Sequence, residues 1–249
     1  MKIGVKTFKD PDYLKKFEEK VDFFEIMAIE TNDYDFIKEL KLPIVVHSQH
    51  RMFGVNAADK KKQKRNLSSI NFAKKIADLS NARKIILHPG EINNENCSIE
   101  QAISFIKNID DKRVIIENIP AEAKINRFCK TPAETKEFMK ETGKGFCFDI
   151  NHAIWAAIIL KEDYIKFIKE FLKLKPVHYH FGGQKIKQLN IPWYEREHLA
   201  LRDSDFDLKE VLKLIPKDAE ITLETTIDVE KTMDDVRIMK EWMKELGKN

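Results

Sequence analysis

Short apolar runs rich in Ile, Val and Phe recur along the whole chain, and segments with helical spacing separate them. Eight such runs read as strands: 2–6 (KIGVK), 22–28 (DFFEIMA), 43–47 (PIVVH), 84–88 (KIILH), 113–117 (RVIIE), 145–149 (GFCFD), 177–181 (VHYHF) and 220–224 (EITLE). Near-continuous apolar runs suit strands buried on both faces, as in a parallel sheet. The intervening segments carry helix-start signals. Asp10-Pro11 and Thr131-Pro132 each place a capping residue before a proline at the first helical position, and Asp207 is placed to cap a helix running to Leu214. Repeated strand–helix alternation leaves a closed barrel or a doubly wound sheet. A (β/α)₈ barrel needs about 250 residues, and a chain of 249 fits one barrel domain over 1–249 without remainder.

Composition changes this picture little. The hydrophobic share of 43% supports a sizeable core, and the charged share of 34% implies a solvated outer surface. A net charge of +3 is too small to name a nucleic-acid partner. Cys97, Cys129 and Cys147 lack metal-type spacing, and so sparse a set suits a reducing compartment. Charge interrupts the N-terminus at once, with no signal-peptide core. The longest apolar run, AIWAAIIL at 153–160, is far too short to span a bilayer. The expectation is a cytoplasmic protein without a membrane partner. The basic run 59–65 (DKKKQKR) opens the helix after the third strand, where lysines oppose the helix dipole. It reads as a solvated face, or as phosphate contacts on the active-site side.

The chemistry gathers at the strand ends. The third strand ends in His47, the fourth in His88, the fifth in Glu117 and the sixth in Asp149, followed by His152. The seventh holds His178 and His180, the eighth ends in Glu224, and His198 lies in the segment between them. The carboxyl ends of all barrel strands converge on one face, so residues scattered along the chain meet in one mouth. Imidazole and carboxylate are the usual zinc ligands, and the same set suits Mn²⁺ or another divalent ion. Taken singly, Asp149 reads as a helix cap, a strand-end histidine as a hydrogen-bonded structural residue, and a strand-end glutamate as an ion-pair partner. These plain readings must all hold at once on six strands, and the ensemble favours a metal site. His178 and His180 share one strand face. His180 lies nearer the carboxyl end and is the expected ligand, with His178 lower in the barrel. His50 is expected to line the mouth.

The series VVH, LHPG, IIEN, FDINH, HF, EREHLAL and LETT resembles the endonuclease IV and xylose isomerase-like barrel superfamily (AP endonuclease family 2), in the expected order over nearly the whole chain. The endonuclease IV branch implies two or three zinc ions and cleavage of DNA beside abasic sites. In that resemblance His47 and His88 hold one metal, Glu117 bridges two, and Asp149, His180 and Glu224 complete the second. His152 and His198 match a third site. Arg196 stands where that branch has an aspartate, so Glu195 or Glu197 must compensate. The loop sequences IPAEA (119–123) and LRDSD (201–205) lack the branch's glycines, and His50 replaces a DNA-contacting tyrosine.

The sugar isomerase and epimerase branch implies one metal held by Glu117, Asp149, His180 and Glu224. There the two glutamates are the catalytic acid and base on a sugar. His152 and Arg196 or Arg202 would bind substrate hydroxyls, and Glu25, read as ending the second strand, looks more like this branch. His47 and His88 tip the balance toward phosphodiester hydrolysis, with Glu117 and Glu224 catalytic in either case. A non-catalytic metal- or sugar-binding barrel is the third possibility.

Overall fold

A computed structural model describes residues 1–7, 10–122, 125–188, 191–225 and 228–248. Its strands are β1 (Lys2–Thr7), β2 (Phe23–Ala28), β3 (Ile44–Ser48), β4 (Ile85–Leu87), β5 (Glu91–Ile92), β6 (Val114–Glu117), β7 (Asn126–Arg127), β8 (Gly145–Asp149), β9 (His178–Phe181) and β10 (Glu220–Leu223). The α-helices are α1 (Pro11–Phe17), α2 (Gln63–Leu79), α3 (Ile99–Lys107), α4 (Pro132–Thr142), α5 (Ile150–Leu160), α6 (Tyr164–Leu172), α7 (Leu208–Leu212) and α8 (Val229–Glu245). Eight strands close into a barrel in the order β1-β10-β9-β8-β6-β4-β3-β2. Each neighbouring pair in it is parallel. The barrel strands are the eight apolar runs, with ends shifted by a residue or so. The dipeptide strands β5 and β7 pair antiparallel in the loops above β4 and β6.

The capping signals work as their chemistry dictates. Asp10 accepts from the Tyr13 amide and Thr131 from the Glu134 amide, each satisfying an orphan donor at a helix start. Asp207 caps α7, but that helix stops at Leu212, short of the expected Leu214. No described helix is long and apolar enough to cross a membrane.

The strand period of two decides what faces the barrel axis. Ile44 and Val46, Ile85 and Leu87, Phe146 and Phe148, Tyr179 and Phe181, and Ile221 and Leu223 belong to the large core between sheet and helices. Phe148, for example, stacks on Phe171 of α6 with ring centroids 5.0 Å apart. The alternate residues point inward. Phe23, Val45, Ile86, Ile115 and Cys147 form a separate apolar cluster that floors the barrel. Two residues further along the strands stand Glu25, His47, His88, Glu117 and Asp149. One apolar layer therefore carries a layer of ionisable groups directly above it, at the carboxyl ends where barrel sites form.

Candidate metal centre

Four strand ends supply one tight group. Glu117, Asp149, His180 and Glu224 each bring a ligand atom within 4.8 Å of the others. His180 Nδ1 lies 2.9 Å from Glu224 Oε2, 3.3 Å from Glu117 Oε1 and 3.7 Å from Asp149 Oδ2. A tetrahedral ion with bonds of ~2.1 Å has ligand–ligand edges of about 3.4 Å, so the spacing suits an ion at the centre.

The hydrogen bonding fits the same conclusion. His180 Nε2 donates to Glu25 Oε2 at 3.0 Å, which turns Nδ1 toward the acidic oxygens of Glu117, Asp149 and Glu224. Asp149 caps α5 through Oδ1, which accepts from the His152 amide at 2.7 Å. Its other oxygen is turned to the group, so the plain reading and the ligand reading of Asp149 both hold. Asp149 Oδ2, His180 Nδ1 and Glu224 Oε2 are buried and have no hydrogen-bond partner among the described residues. Leaving such atoms unpaired is costly. A cation among them satisfies all three at once.

A second group adjoins the first through one residue. His47, His88 and Glu117 converge within 4.8 Å. Glu117 Oε2 lies 3.0 Å from His47 Nε2 and 3.2 Å from His88 Nε2, while Oε1 faces His180 and His152. One carboxylate thus turns one oxygen to each group. His47 Nδ1 donates to the Ser48 carbonyl at 2.7 Å, which fixes the tautomer with Nε2 free to ligate. Burial lowers the pKa of His88 and keeps its ring neutral.

His152, Glu197 and His198 form a third group. His152 Nδ1 donates to the Asn118 carbonyl at 2.8 Å, which leaves Nε2 for a ligand. Asn118 also exchanges two side-chain hydrogen bonds with the backbone of Asp149, so Asn118 clamps the end of β6 to the start of α5. His198 sits in the left-handed region at φ 56, a conformation that costs roughly 1–3 kcal/mol in a non-glycine residue. Leu199 and Gly183 hold it there by a two-way backbone bridge of 2.8 and 3.0 Å. A Cβ on Gly183 would lie 2.1 Å from the Ala200 carbonyl oxygen, so only glycine allows this approach. Of the two neighbouring glutamates, Glu197 is the one that lies with His152 and His198. Arg196 pairs with Glu197 at 2.7 Å and lies 3.3 Å over the Trp155 ring. Glu197→Ala is expected to bind one ion fewer per chain, or to bind that ion at least about tenfold more weakly, with the first two groups filled; elemental analysis after dialysis checks this.

Two sequence expectations need correction. Glu25 does not end its strand: it lies mid-β2, fully buried, and contacts His178, His180 and Thr222 beneath the site rather than lining the cavity. Arg202 does not face the cavity but pairs with Asp234 on the outer surface. The lysines of 59–65 fit the solvated-face reading: they are exposed or half-buried and lie outside the cavity lining, and Arg65 ties Gln49 and the Phe53 carbonyl to α2. His178 lies lower in the barrel, on Glu25 and Thr222, as its position suggested. His50 lines the mouth, stacked on His88 with centroids 4.8 Å apart, and burial pushes its pKa down to about 2.

Sequence reasoning missed Lys6. It points inward from β1 with its Nζ 2.9 Å from Glu224 Oε1 and 3.1 Å from Glu25 Oε1. Burial alone would discharge it, but Glu224, Glu25 and Glu117 outweigh that and hold its ammonium above the usual range. The reciprocal effect holds Glu224 well below the usual carboxylate range: burial opposes its charge, and Lys6 and His180 overcome that. Above the groups opens a cavity of about 810 Å³, lined in part by Arg51, Met52, Ile119, Arg127, Trp155 and Tyr194.

The comparisons agree with this fold. A family model described as xylose isomerase-like TIM barrel matches residues 34–246. No curated protein sequence matches significantly. Similar solved structures include a D-tagatose 3-epimerase-like protein, at 22% identity over 99% of this chain and 98% of that one, with a TM-score of 0.79. Endonuclease IV from Thermus thermophilus superposes at 16% identity over 98% of this chain and all of that one (100%), with a TM-score of 0.74. A family 2 AP endonuclease from Brucella melitensis does so at 13% identity over 97% and 99% of the two chains, with a TM-score of 0.71. At these identities the likeness is one of fold. The match over most of its length, on a closed eight-stranded parallel barrel, makes the chain a member of the xylose isomerase-like TIM barrel family.

Proposed function

We propose that this chain is a divalent-metal-dependent hydrolase of phosphodiesters, with abasic-site DNA as its leading substrate and zinc as its leading metal. The observation that carries the reading is Glu117, whose two oxygens face two different ligand groups. Clustered divalent ions supply Lewis acidity, a water nucleophile at neutral pH and charge stabilisation for the leaving oxygen. The protein's own part is to hold ligands and to position the substrate. Glu117, Asp149, His180 and Glu224 bind and orient at the centre, and His47 and His88 complete the side nearest β3 and β4. Arg51 and Lys231 line the cavity mouth and offer positive charge to phosphate oxygens.

A sugar isomerase or epimerase with one metal is the second reading, favoured by the complete Glu117, Asp149, His180 and Glu224 set. It ranks behind because it needs a carboxylate oxygen free to move a proton between sugar carbons. Both Glu117 oxygens are turned to ligand groups, and Glu224 has Oε1 on Lys6 and Oε2 on His180.

The test is incubation of metal-loaded protein with an abasic-site duplex. Nicking beside the lesion, abolished in Glu224→Gln, is the expected result. An uncut duplex together with epimerisation of a ketohexose would replace the first reading by the second.

A further inference from the structure

We propose that Lys6 sets the metal preference of the Glu117, Asp149, His180 and Glu224 group by restricting Glu224 to one-oxygen ligation. The inference rests on the metal-centre reading but not on the identity of the substrate.

The two oxygens of Glu224 have different partners. Oε1 accepts from the Lys6 ammonium at 2.9 Å, and Oε2 faces His180 Nδ1 at 2.9 Å, buried and without a hydrogen-bond partner. Only Oε2 is therefore available to a cation. Lys6 cannot readily turn away. Its side chain is 8% exposed, and its second partner, Glu25 Oε1 at 3.1 Å, is fully buried. Glu25 in turn fixes His180 through Oε2. Lys6 is thus a positioning residue for the β10 ligand directly and for the β9 ligand through Glu25.

Coordination number follows from this restraint. One oxygen each from Glu117, Asp149 and Glu224, with one imidazole nitrogen, makes a four-ligand set with nitrogen and oxygen donors, which suits zinc. Larger and harder ions favour more oxygen ligands and more negative charge. Freeing Oε1 of Glu224 would add both. The lysine charge also offsets Glu25, so the group presents three uncompensated carboxylates instead of four.

The experiment measures Zn²⁺ and Mn²⁺ binding by competition, with bound Mn²⁺ read by electron paramagnetic resonance and total metal by elemental analysis. In Lys6→Met the ratio of Zn²⁺ to Mn²⁺ affinity is expected to fall about tenfold, the scale of effects from residues that orient ligands. Lys6→Gln keeps a donor for Oε1 but loses the charge, and its ratio is expected to fall clearly less than that of Lys6→Met. An unchanged ratio in Lys6→Met, or an equal fall in both variants, overturns the proposal. A crystal structure of the wild-type protein soaked in Mn²⁺ tests it without any variant. Glu224 ligating through one oxygen with Lys6 on the other supports it, and two-oxygen ligation overturns it. If the wild-type chain binds neither ion, the metal-centre reading itself fails. If it binds metal with the Lys6 outcomes reversed, only this inference fails.

Discussion

Glu117→Ala is expected to abolish catalysis and empty two ligand groups at once. The rate on an abasic-site duplex should fall at least about a thousandfold, on the order of 4 kcal/mol of transition-state stabilisation. The reason is geometric. Glu117 is the residue shared by the first two groups: its Oε2 completes the His47 and His88 side while Oε1 completes the His180 side. Elemental analysis should therefore show at least two fewer ions per chain, with the His152, Glu197 and His198 group the one left to bind. The barrel itself should persist, since the floor of Phe23, Val45, Ile86, Ile115 and Cys147 lies below the substitution. Steady-state rates, metal content and circular dichroism on one preparation check the three parts together. A variant that keeps its full metal content would show that Glu117 does not bridge.

Stripping the metal is expected to lower thermal stability substantially. An ion that binds only the folded state at a hundred times its dissociation constant stabilises by about 2.7 kcal/mol. For a chain of this size each kcal/mol moves Tm by roughly 2–4 °C, so even one tightly held ion corresponds to a shift of about 5–10 °C. The metal-free protein must hold Glu117, Asp149 and Glu224 around His180 with no cation between them. Burial alone would discharge His180, but Cys147, Glu25, Glu117 and Glu224 outweigh it and hold its pKa well above the ordinary value when no metal is bound. A proton then stands in for the ion. A folded-state pKa raised above the unfolded one gives stability that is full below pH ~6.5 and is lost as pH rises through the folded value. The metal-free chain should lose stability on the alkaline side, whereas the loaded chain, whose His180 is held neutral by its ion, should not share that loss. Differential scanning calorimetry with and without chelator, between neutral and alkaline pH, measures both effects. Equal Tm values for the two forms would count against a metal centre.

Much of this architecture was legible because strands obey a period of two. The apolar runs locate eight barrel strands, and the polar residues at or next to the ends of the third to eighth runs belong on the inward face. That is why His47, His88, Glu117, Asp149, His180 and Glu224 could be gathered without knowing a fold coordinate. The failures share a cause. Lys6 looks like a surface lysine on a short N-terminal strand, and only barrel closure between β1 and β10 brings it to Glu224. Glu25 was misplaced at a strand end because the run FFEIMA gives no local sign of where its functional layer lies. Arg202, read as a substrate-binding residue through the resemblance to the sugar-enzyme branch, is carried outward to Asp234 by the turn after Ala200. The choice between Glu195 and Glu197 needed the Gly183–Leu199 bridge, which joins residues too far apart for any pattern to couple. The dipeptide strands β5 and β7 are too short to have a period at all.

The central claim is a cluster of divalent ions at the carboxyl ends of the barrel strands, with Glu117 shared between two of them. Anomalous diffraction at the zinc absorption edge, from crystals grown with zinc and without chelator, tests it most directly. The account predicts one peak on each side of Glu117, toward His47 and His88 and toward His180, with a third among His152, Glu197 and His198. A single peak held by Glu117, Asp149, His180 and Glu224, with the other two groups empty at saturating zinc, would contradict it.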